Sequence, residues 1–250
     1  PSTLRVGLEK SRNLMTVRIA QNLGLRKIIN FSENLGIYDN PEELLSISLG
    51  SAETTLLKLT SAYSVFVNGG KLVDPILIDR IQDSEGKTIF NNYKRKCINC
   101  DQISYLGKDY PIVKDDYKKI FSSQTSYQMT SILEGTIQNG TGRNLKDLNL
   151  DLAGKTGTTQ DNKDGWFVGI TPNLVTVTWV GNDNHSIGFR TTGLGQGANS
   201  ALPIFAKFYM KLNRDSKYNN ITKSLFETPT DEVVSDLICE ETKRDGLLKR

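Results

Sequence analysis

The run Leu152-Ala153-Gly154-Lys155-Thr156-Gly157-Thr158-Thr159 sets one cation between two glycines and follows it with hydroxyls. Its apolar entry predicts a short strand. Glycine inside a strand marks a place where a ligand or another backbone comes close. Alternation puts Lys155 and Gly157 on one face and Thr156 and Thr158 on the other. A strand edge with N–H donors, a point charge and hydroxyls suits an extended acyl-peptide ending in a carboxylate. The competing reading is the end of a phosphate loop, G-x-x-x-x-G-K-[ST]. Its first glycine would fall on Asn149, and no helix follows to hold a phosphate.

A second candidate is Ser11-Arg12-Asn13, which interrupts a helical pattern over residues 3–24. Leu4 and Leu8 mark the first part; Val17, Ile19, Ala20 and Leu23 mark the second, with Gly24 as its C-cap. Both Ser11 and Asn13 are good N-cap residues, so a purely structural role competes with a chemical one.

The elements that must position these groups follow in order. Residues 26–50 read as a short helix and a loop, with Pro41 starting a helical turn. Residues 54–68 form an amphipathic helix burying Leu56, Leu57, Leu59, Ala62, Tyr63, Phe66 and Val67, ended by Gly69-Gly70. Residues 75–82 alternate as a strand, and Asp83-Ser84-Glu85-Gly86 turns into residues 87–90. Residues 91–117 are a polar surface insertion rather than a domain. A helix over 123–139 precedes Gly140-Thr141-Gly142-Arg143, read as a turn. Three antiparallel strands then follow: the lysine strand, 166–170 and 174–180, joined by short connections. Residues 193–197 form a flexible loop, 198–212 a helix on the sheet, and 213–250 a polar extension with one strand at 233–239.

Composition narrows the partners. Among 250 residues, 31 basic and 28 acidic side chains leave a net charge of +3, too little to argue for nucleic acid. There is no apolar run long enough to span a membrane and no signal peptide. The opening Pro1-Ser2-Thr3, without methionine, is expected of a piece of a longer polypeptide. Cys97 and Cys100 form a C-x-x-C, while Cys239 and the single His185 lie far off. A structural zinc site needs four ligands, so a local disulfide or free thiols is expected, with no metal and no cofactor.

Three features coincide in order: Ser11-Arg12-Asn13, the helix closing in Asn68-Gly69-Gly70, and Lys155-Thr156-Gly157-Thr158-Thr159 followed by Asp164-Gly165-Trp166-Phe167-Val168-Gly169-Ile170-Thr171-Pro172. The sequence resembles the transpeptidase domain of class A penicillin-binding proteins, whose signatures are S-x-x-K, S-x-N and K-T-G. The likeness also covers Thr3-Leu4-Arg5, Asn139-Gly140-Thr141-Gly142-Arg143 and the closing Asp245-Gly246-Leu247-Leu248. It is weakest over 91–117 and 213–230.

The resemblance implies an α+β fold of the serine β-lactamase and penicillin-binding-protein type: an antiparallel sheet flanked by helices, with a helical lobe. Residues 1–212 would be transpeptidase domain and 213–250 an extension. It implies acyl transfer through a serine ester, from a peptide ending in D-Ala-D-Ala to an amine on a neighbouring cell-wall strand, with penicillins mimicking the donor. Ser11 would serve proton transfer to the leaving amine, Asn13 would hold the substrate amide, and Lys155 would supply positive potential. Thr156, Gly157, Thr158 and Thr159 would line the substrate, the Thr158 N–H acting in an oxyanion hole. A membrane anchor and a glycosyltransferase domain in the full-length protein, facing the periplasm or the cell surface, are also implied.

One member of the motif set is missing. Ser2-Thr3-Leu4-Arg5 has arginine where S-x-x-K requires lysine, and an arginine cannot act as base. The literal match, Ser84-Glu85-Gly86-Lys87, falls in a hairpin turn after Ser11. The nucleophile is therefore expected upstream, and this chain alone should not form a penicilloyl ester. Other expectations compete: a non-catalytic peptidoglycan or β-lactam sensor, a β-lactamase, or an NTPase binding nucleotide at Lys155. Upstream sequence, antibiotic turnover and nucleotide binding respectively separate them.

Overall fold

The computed structural model describes residues 2–92, 95–98, 112–115, 117–184 and 186–227. Two short helices open the chain, α1 (Leu4–Glu9) and α2 (Asn13–Leu23), with the break falling at Ser11-Arg12. Gly24 ends α2 with φ 86°, a conformation open to glycine at little cost. Then come α3 (Leu25–Asn34), a 3-10 turn at Leu45–Leu49 and α4 (Leu56–Ser64). The strands β1 (Lys71–Leu72), β2 (Arg80–Gln82), β3 (Thr88–Asn91), β4 (Arg95–Ile98), β5 (Ile112–Asp115) and β6 (Lys118–Lys119) make three antiparallel pairs: β1 with β6, β2 with β3, β4 with β5.

Helix α5 (Ser123–Gln138) leads through a 3-10 turn at Arg143–Leu148 into the principal sheet. That sheet is β7 (Ala153–Thr158), β8 (Gly165–Thr171) and β9 (Leu174–Val180), antiparallel in that order. A single helical turn α6 (Thr192–Gly195), α7 (Leu202–Leu212) and α8 (Asn219–Thr222) complete the described chain. The arrangement is α+β, with helices on both faces of an antiparallel sheet.

Each sheet face has its own core. On one side Phe167 packs with Ile137, Leu145, Phe205 and Tyr209. Rings of Phe167, Phe205 and Tyr209 stack at 4.9 and 4.4 Å between successive centroids. Phe205 reaches the sheet because Gly169 has no side chain; a Cβ there would lie 2.1 Å from the Phe205 ring. On the other side Ala153, Val168 and Ile170 meet Leu133, with Leu8, Leu59, Tyr63 and Phe66 around them. Residues past 212 close over this body: Asn173 donates to the Asn220 carbonyl, and the Phe226 N–H donates to Asp151.

The structure corrects several local expectations. Helix α4 stops at Ser64, not 68. Past it the backbone tightens into three-residue turns, Phe66 N–H to the Tyr63 carbonyl and Val67 N–H to the Ser64 carbonyl, and the Val65 and Phe66 carbonyls accept hydroxyls from Ser126 and Thr130 of α5. Leu56 and Leu57, assigned to its buried side, are exposed. Of residues 75–82 only Arg80–Gln82 is strand, because only that part meets a partner; Ile76, Leu77 and Ile78 are exposed. No helical turn starts at Pro41; the nearest is Leu45–Leu49. The last long helix begins at Leu202, where Pro203 in the first turn suits a start, and the loop at 193–197 begins as α6. The 91–117 insertion holds the strand pair β4–β5. Cys100, Cys239, His185 and the strand expected at 233–239 lie outside the described residues.

Candidate active site on the lysine strand

β7 is an edge strand, paired to β8 on one side only. Along an antiparallel strand, successive residues send their N–H and C=O groups alternately toward and away from the partner. The Gly154 carbonyl accepts the Thr136 hydroxyl of α5, so Gly154, Thr156 and Thr158 present their backbone groups on the unpaired edge. The residue types expected there are therefore set on a margin that no second strand pairs, where the Gly154 and Thr156 carbonyls are already bonded to the Thr136 hydroxyl and to Lys155 Nζ.

Lys155 reaches across from this strand. Its Nζ donates to Ser11 Oγ at 2.7 Å and to the Thr156 carbonyl at 2.8 Å. An ammonium has three donors, so these two bonds leave one uncommitted among the described residues. Burial lowers the Lys155 pKa to about 8, since the charged form is stripped of water.

Ser11 lies beyond the end of α1 with φ 51°, in the left-handed region. A serine there is held by its surroundings rather than by preference. The capping reading of Ser11 and Asn13 does not hold: the N-cap of α2 is Arg12, without a side-chain bond to the helix. The Ser11 hydroxyl instead meets Lys155. Asn13 occupies the first position of α2, exposed, with no side-chain hydrogen bond among the described residues. The structure thus joins Ser11 directly to Lys155 and brings Asn13 to the same helix start without bonding it to either.

The threonine hydroxyls are engaged within the protein. Thr156 Oγ1 lies 2.7 Å from Thr141 Oγ1. Thr158 Oγ1 accepts the Gly197 N–H at 3.1 Å. Thr159 Oγ1 donates to the Asp164 carboxylate, which also accepts the Trp179 indole N–H. What the strand offers a ligand is its backbone edge, with the Lys155 head group beside it. Gly157 sits against Trp166 of β8, where a Cβ would lie 3.1 Å from the Trp166 Cβ. Among the described residues no group of three His, Cys, Asp or Glu side chains could hold a metal.

Sequence reading missed the polar cluster behind the site. Arg5, Glu9, Glu134 and Asp151 line a cavity of about 370 Å³. Glu9 is buried beside Arg5, 3.9 Å away, and Arg5 also donates to the Ser131 carbonyl at 2.9 Å. Burial and the adjoining Asp151 carboxylate push the Glu134 pKa up to about 7, partly offset by Arg5. A carboxyl raised from 4.5 to about 7 in the folded state binds its proton there first. Its stabilising contribution is complete below pH 4.5 and is lost as pH rises through 7. Glu134→Gln should therefore flatten the fall in melting temperature over that interval and melt higher than the parent at pH 8. An unchanged slope in thermal melts across the interval would contradict the assignment.

Comparison with known proteins identifies the family and the fold. The chain matches the family model described as penicillin binding protein transpeptidase domain over residues 1–209. It is similar to penicillin-binding protein 1A of Rickettsia prowazekii, at 42% identity over 217 residues, covering 85% of this chain and 27% of that protein. Penicillin-binding protein 1A of Pseudomonas aeruginosa is 32% identical over 240 residues, covering 83% and 29%. Among solved structures, penicillin-binding protein 1A from Haemophilus influenzae superposes with a TM-score of 0.73 at 29% identity, over 92% of this chain and 36% of that one. PonA1 from Mycobacterium tuberculosis, solved with penicillin V, shares the fold at a TM-score of 0.65 and 20% identity, over 92% and 60%. The chain spans between a quarter and a third of the length of these curated relatives.

Proposed function

The chain belongs to the penicillin-binding protein transpeptidase domain family, and on that premise we propose that it forms the C-terminal part of a peptidoglycan D,D-transpeptidase domain. The observation that carries this reading is the Lys155 Nζ to Ser11 Oγ hydrogen bond beside the edge of β7 that no second strand pairs. The donor peptide adds as an extended strand to the unpaired margin of β7, where backbone groups give affinity. The free proton of Lys155 faces its terminal carboxylate.

A serine outside residues 1–250 attacks the carbonyl of the penultimate D-alanine, its proton passing to a base held beside it, also outside residues 1–250. The bond to the terminal D-alanine breaks, and an ester forms. The leaving amine needs a proton. Because Lys155 donates to Ser11 Oγ, the hydroxyl proton of Ser11 is free to point at that amine, and Lys155 can restore it. Asn13 holds the substrate amide from the start of α2. The Thr158 N–H, on the free edge, donates to the oxyanion that develops at the tetrahedral stage. An amine from a neighbouring strand then attacks the ester, forms the cross-link and releases the serine. β-Lactams follow the same path into the ester.

Placement of the nucleophile outside this chain has two supports. Arg5, in the position of the required lysine, is engaged by Ser131 and Glu9. Ser84 and Lys87 flank the exposed β2–β3 turn. In this reading residues 1–212 are transpeptidase and 213–250 an extension, and the whole protein adds a membrane anchor and a glycosyltransferase domain facing the periplasm or cell surface. Fluorescent penicillin separates the outcomes. Residues 1–250 should stay unlabelled, and the polypeptide extended upstream should be labelled, with a D-Ala-D-Ala peptide slowing it. No adduct on the extended polypeptide would mean a non-catalytic sensor of the same fold.

A further inference from the structure

The geometry points to Thr141 as a positioning residue that sets the distance between the Ser11 wall and the Lys155 wall of the site. This rests on the transpeptidase reading above. Thr141 touches both walls at once. Its N–H donates to the Glu9 carbonyl at 3.2 Å, at the end of α1 and two residues before Ser11. Its Oγ1 lies 2.7 Å from Thr156 Oγ1, next in sequence to Lys155. Thr156 also supplies the carbonyl that Lys155 Nζ grips. One residue thereby bonds the strand that carries the ammonium and the helix end that carries the serine.

The turn around Thr141 is held from behind. The N–H groups of Gly140 and Gly142 both donate to the Thr136 carbonyl, at 3.2 and 3.0 Å. The Thr136 hydroxyl donates in turn to the carbonyl of Gly154, on the other side of Lys155. Gly140 lies so close to α1 that a Cβ would come within 2.2 Å of the Glu9 carbonyl oxygen. Within Gly140-Thr141-Gly142, the threonine is thus the one side chain able to reach β7. Its branched Cβ restricts the rotamer and so the place of the hydroxyl. Ser11 gains most from such support, since its left-handed backbone must be kept in place by neighbours.

The test uses the longer polypeptide that carries the upstream nucleophile, with the second-order rate of acylation by a fluorescent penicillin as readout. Thr141→Val keeps the shape and removes the hydroxyl. It should slow acylation roughly tenfold, the scale of loss expected when reacting groups shift by a fraction of an ångström. Thr141→Ser should recover to within about twofold, because the bond returns. In a double-mutant cycle, Thr141→Val on a Thr156→Val background should cost nothing further, the bond being already absent. Acylation by Thr141→Val equal to the parent, or losses that multiply in the double variant, would overturn the inference and leave the transpeptidase reading standing. A parent polypeptide that does not acylate at all would overturn both. Should Thr141→Val fail to fold, Thr141→Ala against Thr141→Ser puts the same question: the alanine must slow acylation and the serine must restore it to within about twofold of the parent.

Discussion

Lys155→Ala in the polypeptide carrying the upstream nucleophile should lower the rate of penicilloyl-ester formation by about two to three orders of magnitude, the usual loss when one preorganised electrostatic partner is removed. The size follows from what the ammonium touches. It donates to Ser11 Oγ and to the Thr156 carbonyl, so its loss frees the Ser11 hydroxyl and, in the proposed reading, removes the positive charge that meets the donor's carboxylate. Lys155→Arg should not rescue, because a planar guanidinium cannot reproduce a compact, rotatable ammonium at that site. The pH profile of the parent carries the same information. A lysine lowered to about 8 is still mostly charged at pH 7 and loses its proton as pH rises through 8. Acylation should therefore fall about tenfold for each pH unit above that point. Labelling that survives Lys155→Ala, or an alkaline limb in the range of an unburied lysine, would remove Lys155 from the mechanism.

Phe205→Ala should be the most damaging single change to stability, at about 3–5 kcal/mol, the range for emptying a buried aromatic site. Phe205 is fully buried and stacks between Phe167 and Tyr209. It fills the space that Gly169 leaves open on the central strand β8. Neither side can collapse into the gap: the sheet is held by its ladder and α7 by the rest of its core face. Because β8 carries β7 in register, the loss should also loosen the lysine strand. Denaturant unfolding of residues 1–250 would measure it. A cost under about 1 kcal/mol would mean that the aromatic stack is not the core holding the sheet.

Short-range chemistry was legible in the sequence. The glycine-flanked lysine strand, the tight connection at residues 171–173 and the break at Ser11-Arg12 all follow from residue type and spacing, and the structure places them where expected. Sequence left Ser11 and Asn13 open between capping and chemistry. The deciding bond joins residues 11 and 155, a contact that local pattern cannot show. The overlong reading of α4 has the same origin. Its apolar spacing runs on to Val67, but the helix gives way after Ser64 to three-residue turns whose Phe66 carbonyl meets hydroxyls of α5. The exposed Leu56 and Leu57 fit the period and yet find no partner among the described residues. The Glu134–Asp151 pair and the Thr141 clamp were missed because single acids and a Gly-Thr-Gly turn carry no local signal. Only their long-range neighbours give them a role.

In the proposed reading, Lys155 and Ser11 complete an acylation site whose nucleophilic serine another part of the polypeptide brings. Treating the upstream-extended protein with penicillin, digesting it and locating the penicilloyl group by mass spectrometry tests this most directly. An adduct is expected on a serine preceding Pro1, with Ser11 and Ser84 unmodified and residues 1–250 alone carrying none. A penicilloyl group on Ser11, on Ser84 or on any other serine of residues 1–250 would contradict it.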